Sequence, residues 1–341
     1  MNTYNQREAV TSPASADVNT TRRFSGRRIA VLIPCYNEES TIAAVVGEFY
    51  KAIPAATVYV YDNNSSDRTM AVAESAGALV RRQVLQGKGH VVRRMFSDVD
   101  ADVFVLADGD DTYDASAAPA MIEKLLSENL DMVVGRRVDH EVAAYRTGHR
   151  FGNTMLTGAV SRFFGKRFTD ILSGYRVFSK RFVKSVPILA TGFEIETEIT
   201  VHALTLQVPI AEIDTIYKSR PAGSASKLHT FRDGARILVT IMRLVRAERP
   251  LLFFSTVAIV LLLLAVFLAI PIFITYLEEG IVPRLPTAVL CTGLTLLSFL
   301  NWAVGLVLEN VTRGRREVRM LAYLNLSSVN PSSSDHPPLS Y

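Results

Sequence analysis

Two stretches near the C-terminus limit what this chain can become more than anything else in it. Leu251 to Leu277 carries no charged residue, and neither does Leu285 to Leu308. Each exceeds the roughly 20 residues that a helix needs to cross a bilayer. In lipid a backbone must satisfy its own hydrogen bonds, so such runs enter a membrane as helices. The competing reading is a pair of buried helices in a soluble core. It is disfavoured because the two runs stand in tandem at the end of an otherwise normally polar chain.

Flanking charge sets the orientation to expect. Arg232, Arg236, Arg243, Arg246 and Arg249 precede the first run, and Arg313, Arg315, Arg316 and Arg319 follow the second. The link EEGIVPR holds one arginine. The positive-inside rule then places both termini and everything before residue 250 on the cytoplasmic side. The first 27 residues contain no apolar core of the secretory type, so no cleaved leader is expected. The formal net charge is only +4, and its basic residues gather beside the apolar runs. That pattern suits anionic lipid or phosphate and argues against nucleic acid. Cys35 and Cys291, the only two cysteines, fall in different parts of a chain expected to stay reduced, so no disulfide is assigned. No Cys/His cluster has zinc spacing.

Residues 1–27 and the terminal SSVNPSSSDHPPLSY are polar, without an apolar period, and read as disordered tails. Between the first tail and the apolar runs, short β-rich segments alternate with helical ones. Strands are expected at 29–34, 57–62, 78–82, 102–107 and 131–137. Helices are expected at 40–52 with Ser40 as N-cap, at 65–77 closed by Gly77, and at 119–129 with Pro119 in the first turn. This alternation predicts an α/β domain around a mostly parallel sheet. In such sheets ligands bind beyond the carboxyl ends of the strands. The loops IPCYNEES, DNNSSD and ADGDD all leave those ends and should meet along one edge.

The stretch DVFVLADGDDTYD places four carboxylates within seven residues. A calcium loop of EF-hand type starting at Asp108 would need Gly at its sixth position and Glu at its twelfth, where this chain has Tyr113 and Pro119. A solvated turn is one remaining reading. The other is a cation site, with Asp108 and Asp110 flanking Gly109 at a strand end. Mg2+ or Mn2+ takes oxygen ligands and shares them with substrate phosphates. Lys88 lies between Gly87 and Gly89, but GKG fits neither common phosphate-loop pattern.

IPCYNEE, DNNSSDRT, GKGHVVRRMF, ADGDDTYD, VVGRR, TDILSGYRVF and GFEIETEI, followed by YKSRPAGSASKL, form an ordered series over residues 29–229. In this the chain resembles family 2 glycosyltransferases of GT-A fold, a Rossmann-like architecture. Within them it resembles the dolichyl-phosphate mannose synthase and polyprenyl-phosphate glucosyltransferase branch. The resemblance implies a nucleotide-sugar donor on Pro34, Tyr36, Glu38, Asp62, Lys88, Asp108 and Glu194. It implies Mg2+ or Mn2+ at Asp108 and Asp110, with Thr112 standing where many relatives carry Gln. Arg136, Ser173 and Arg176 match positions that hold an acceptor phosphate, and Arg220 and Lys227 match the basic loop before the membrane helices. Asp110, Arg136 and Arg176 are the residues implied to carry catalysis. Glu194 is preferred over Glu196 for a sugar contact. Tyr36 packing, Arg176 in a surface ion pair, and a simple acidic helix start at Glu194 and Glu196 are the plainer alternatives.

The expected organisation is a GT-A domain over 28–229, an amphipathic juxtamembrane helix over 230–250, a transmembrane hairpin over 251–308 and a basic, then disordered, tail over 309–341. Arg232, Arg236, Arg243 and Arg246 should line one face of the juxtamembrane helix, with apolar residues on much of the rest. The activity expected is inverting transfer from UDP-glucose or GDP-mannose to a polyprenyl phosphate at the cytoplasmic face of the membrane. Rival readings are a polysaccharide synthase or glycolipid-forming transferase, and a non-catalytic membrane scaffold. Against the first, QxxRW is absent, since Trp302 is the only tryptophan. Two helices also make a channel only if copies associate, so a homo-oligomer stays open.

Overall fold

The computed structural model describes residues 24, 26–139, 157, 158, 160, 162, 165, 168–219 and 230–327. They form two compact units, one reaching Gly234 and including Tyr323 to Ser327, the other Ala235–Ala322.

The first unit is built on a mixed sheet. Its strands are β1 (Ile29–Cys35), β2 (Thr57–Asp62), β3 (Leu79–Arg82), β4 (Val103–Leu106), β5 (Met132–Asp139), β6 (Arg176–Ser179) and β7 (Ile210–Tyr217). The helices between them are α1 (Ile42–Ala52), α2 (Thr69–Ser75), α3 (Lys88–Asp98), α4 (Ala118–Ser127), α5 (Lys180–Ser185) and α6 (Ile195–Leu206). The strand order is β3-β2-β1-β4-β6-β5-β7. Neighbours run parallel except β6, which is antiparallel to both β4 and β5.

The sequence pattern explains this sheet. Every residue of IAVLIPC in β1 is buried, as a central strand covered on both faces requires. In α1 the buried residues Ile42, Val45, Val46 and Phe49 recur at helical spacing, and Ala118, Met121, Ile122 and Leu125 do the same in α4. Pro119 sits in the first turn of α4, as expected.

Some expected boundaries shift. The N-cap of α1 is Thr41, not Ser40, and its hydroxyl makes no capping bond but donates to the carbonyls of Glu38 and Gly109. Helix α2 is shorter than 65–77, because residues 65–68 bind the neighbouring loop. Gly77 closes it with φ +92°. The Gly77 amide donates to Glu74 and the Ala78 amide to Ala73, the paired bonds of a Schellman motif. Strands β6 and β7 and helix α3 were not among the expected elements. β6 is only four residues long and exists because β4 and β5 pair with its two edges.

The second unit contains most of α7 (Thr230–Glu248), then α8 (Pro250–Glu279) and most of α9 (Leu285–Leu324). Pro250 restarts the helix after Arg249, since the residue before proline avoids helical angles. α8 and α9 are long and apolar enough to cross a membrane, and α9 runs beyond the expected end at Leu308. Their outer surfaces are apolar, with Leu263, Phe267, Leu277, Leu296 and Phe299 all exposed. A soluble core helix would bury such residues. The buried residues of α9 are Cys291, Ser298, Gly305 and Thr312, seven apart throughout. The middle part of this seam meets α8, where Ala258 and Ala265 are buried, while Thr312 meets α7, donating to the Ala247 carbonyl at 3.1 Å. The Ser298 hydroxyl donates to the Ala258 carbonyl at 2.8 Å, and a Cβ on Gly305 would lie 3.0 Å from the Cβ of Phe254. Small residues at this period let two helices approach closely without a hydrophobic driving force. Beyond Thr312 the same spacing reaches Arg319, which donates to the buried Glu248 of α7 at 2.9 Å.

Candidate active site

The loops after β1, β2 and β4 interlock at the carboxyl edge of the sheet. The Asn37 amide donates to the Ser65 hydroxyl at 2.8 Å, and Asn37 Oδ1 accepts from the Ser66 amide. The Glu38 amide donates to Thr69 Oγ1, and Arg68 pairs with Glu39. Thr41 Oγ1 donates to the Gly109 carbonyl at 2.7 Å, tying the first loop to Asp-Gly-Asp. Gly109 is dictated by space, since a Cβ there would stand 2.6 Å from Cys35 Sγ.

Asp62 ends β2 and is 1% exposed. Its Oδ2 accepts from the Ser65 amide, while Oδ1 is buried with no hydrogen-bond partner among the described residues. An unsatisfied buried carboxylate oxygen is costly, and a ligand donor would relieve that cost. Pro34 lies within β1, Tyr36 is exposed just beyond it, and Glu38 is buried at the loop's turn.

Asp108, Lys88 and Glu196 come together from three elements. Lys88 Nζ lies 2.5 Å from Asp108 Oδ1 and 2.5 Å from Glu196 Oε1. The Lys88 side chain is only 11% exposed. Burial works to lower its pKa, but the two carboxylates outweigh burial and raise it above the usual lysine range. The GKG glycines serve close packing. A Cβ on Gly87 would sit 2.0 Å from the Thr191 carbonyl oxygen, and one on Gly89 would sit 2.2 Å from that of Ala190. The two backbones touch, and the contact aims Lys88 at Asp108 and Glu196. The three acids of α6 and its N-terminus divide their work. Glu194 accepts from the amides of Thr191 and Gly192, and Glu198 from those of Leu189 and Ala190. Glu196 is the one that pairs with Lys88. The sugar contact expected of Glu194 is separate from this pair, and the helical spacing of EIETE does not by itself say which acid reaches Lys88.

Asp110 is buried, and its Oδ1 accepts from the amide and hydroxyl of Thr112. Thr112 thus orients Asp110. Two residues escaped sequence reasoning here. The Tyr113 hydroxyl accepts from the Gly174 amide at 2.8 Å, and burial, with Asp108 nearby, pushes its pKa well up. Lys218 lies 3.3 Å from Asp111 and 3.1 Å from Glu48.

The residues expected to hold an acceptor phosphate are spread over different surroundings. Arg136 is part-exposed and makes a two-pronged pair with Asp214, at 2.5 and 2.6 Å, its partner in register across β5 and β7. Arg176 is 0% exposed. Its guanidinium donates to the carbonyls of Ser173 and Ile171 and to Thr200 Oγ1. Burial lowers its pKa to about 10. The Ser173 hydroxyl, also fully buried, donates to the Gly135 carbonyl at 2.6 Å. Arg176 and Ser173, expected to hold a phosphate, are here bonded within the turn over 171–175. The same burial rules out a surface ion pair for Arg176. That turn sets Gly174 against the cluster, where a Cβ would meet Asp108 Oδ2 at 2.9 Å and Lys88 Nζ at 3.2 Å. Arg137, the neighbour sequence reasoning passed over, forms a buried two-pronged pair with Asp170. Arg220 and Lys227 lie outside the described residues.

No group of three or more metal-ligating side chains meets among the described residues. Two hard-oxygen acids at a strand end suit an ion that completes its shell with phosphate and water, the usual habit of Mg2+.

The family model described as Glycosyl transferase family 2 matches residues 30–186. Protein RfbJ of Shigella flexneri is 59% identical over 123 residues, covering 36% of this chain and 95% of that protein. Glycosyltransferase AglJ of Haloferax volcanii is 36% identical over 231 residues, covering 67% of this chain and 76% of that protein. The dolichyl-phosphate hexose transferase of the same organism is 28% identical over 221 residues, covering 65% and 95%. Among solved structures, Mycobacterium tuberculosis glucosyl-3-phosphoglycerate synthase with Mn2+, uridine-diphosphate-glucose and phosphoglyceric acid shares the fold. The TM-score is 0.53 at 22% identity, over 69% of this chain and 85% of that one.

Proposed function

This chain belongs to glycosyl transferase family 2, and from that premise we propose that it moves a hexose from a nucleoside diphosphate onto the phosphate of a polyprenyl lipid. The observation that carries the reading is the Lys88–Asp108 pair in the Asp-Gly-Asp loop, at the sheet edge where β2 also ends in Asp62, in a chain that has two bilayer-length apolar helices. Support for the donor comes from a fold neighbour solved with uridine-diphosphate-glucose. Support for the acceptor comes from a relative named for dolichyl phosphate.

Each residue then has a task. Asp62 Oδ1 accepts from a base N–H. Asp108 and Asp110 hold Mg2+ or Mn2+ together with the donor diphosphate, and Pro34, Tyr36 and Glu38 border the nucleotide. Such an ion, when bound, neutralises charge on the leaving diphosphate. Lys88 brings a second positive charge to the same place. Arg136, with Arg220 and Lys227, attracts the acceptor phosphate, while Arg176 and Ser173 keep the 171–175 turn in shape. An acceptor oxygen attacks the anomeric carbon, the bond from that carbon to the diphosphate breaks, and the configuration inverts. A phosphate monoester with a second pKa near 6 is already largely dianionic at neutral pH, so no strong general base is required. Positioning and charge neutralisation supply the rate.

The membrane belongs to this reading. α8 and α9 span the bilayer, with the arginines at 243–249 and 313–319 on the cytoplasmic side. α7 leads into α8 with Leu238, Val239 and Met242 exposed beside Arg243 and Arg246, which suits the headgroup layer.

The test uses the full chain in detergent, a short polyprenyl phosphate, Mg2+ or Mn2+, and a panel of labelled nucleotide sugars. One donor should yield lipid-linked hexose, and Asp110→Asn should lower turnover by about a hundredfold or more. Transfer to a soluble phosphate but never to the lipid would overturn the acceptor. Full activity of Asp110→Asn would overturn the cation site.

A further inference from the structure

We infer that Glu196 is a positioning residue acting through Lys88: it gives the buried ammonium a second carboxylate, so that Asp108 can exchange Lys88 for a divalent cation. This rests on the reading above, in which Asp108 takes such a cation.

The geometry supplies the argument. One ammonium stands 2.5 Å from two carboxylates. Lys88 cannot withdraw easily, because Gly87 and Gly89 press its backbone against Thr191 and Ala190. Gly174 closes another side, its Cβ position 3.2 Å from Nζ. An ammonium held this way competes with any cation for Asp108. If Asp108 were its sole partner, loss of that contact would leave a buried charge uncompensated, a strongly destabilising arrangement. Glu196 removes that penalty. It is not needed to shape the 189–192 loop, which Glu194 and Glu198 hold instead.

The test follows Mn2+ binding to the full chain in detergent, in the presence of UDP, by the electron paramagnetic resonance of free Mn2+. Wild type, Glu196→Gln, Lys88→Met and the double variant form a cycle. Glu196→Gln should weaken Mn2+ binding about tenfold when Lys88 is present, and less than about threefold in the Lys88→Met background. Equal factors in both backgrounds, or no change in either, would overturn the inference, since direct attraction or general structural damage ignores Lys88. Glu196→Asp keeps the charge and should bind Mn2+ within about threefold of wild type. Binding as weak as that of Glu196→Gln would also overturn the inference. This charge-preserving variant decides the matter even where Glu196→Gln folds poorly. Wild type that takes up no Mn2+ with UDP would sink the cation reading itself, a result distinct from wild type and Glu196→Gln binding equally.

Discussion

At Gly109 a single missing methyl decides whether the acidic loop can form. The position between two aspartates is open to any residue by charge and propensity, yet a Cβ there would overlap Cys35 Sγ at 2.6 Å. Gly109→Ala should destabilise the chain by about 1–3 kcal/mol, read as a lower melting temperature, and Cys35→Ala in the same chain should recover much of that loss. Lys88 makes a second residue-scale prediction. Its pKa is raised in the folded state, so its stabilising contribution is complete below the unfolded value of about 10.4 and fades as pH climbs through the folded one. The melting-temperature gap between wild type and Lys88→Met should therefore stay constant from about pH 6 to 9 and shrink only above about pH 10.5. A gap that narrowed near neutrality would contradict the shared ion pair. Neither partner of Lys88 was legible locally. GKG advertises a loop, but what its glycines admit is another backbone about 100 residues away in sequence.

At the scale of elements, the hairpin of α8 and α9 depends on a seam of small residues. Cys291, Ser298, Gly305 and Thr312 recur every seventh residue, a period that keeps one stripe turned to its neighbours, α8 at Ser298 and Gly305 and α7 at Thr312. Gly305→Leu should pry the helices apart at Phe254, while Ser298→Ala should cost about 0.6 kcal/mol. Steric-trap or thermal measurements in detergent would rank them, and equal tolerance of both would argue against the seam. The apolar runs are evident from composition, and the seven-residue repeat of small residues is a sequence signal of the same local kind. In the sheet unit, β1, β2, β4 and β5 were visible because central strands need continuous apolar runs. RVFS was not visible as β6, since its pairing with β4 and β5 is fixed by chain segments some 40 to 75 residues away.

For the whole molecule, arginine asymmetry about two spans predicts that both chain ends share the cytoplasmic face. A cysteine placed at Gly280, in a background with Cys35 and Cys291 replaced, should react with a membrane-impermeant maleimide on intact cells. One placed at Ser327 should react only after permeabilisation. The opposite pattern would remove the cytoplasmic donor pool from reach and with it the proposed reaction. Sequence alone determined the alternating α/β layout, the apolar spans and the strand-end clustering of acids, because those follow from local periodicity and from where parallel strands end. Tertiary structure alone decided that Glu196 meets Lys88, that Arg176 and Ser173 bond within the 171–175 turn, and that Arg137 pairs with Asp170. A side chain's partner depends on which distant backbones pack against it, and burial leaves each donor few acceptors to choose from.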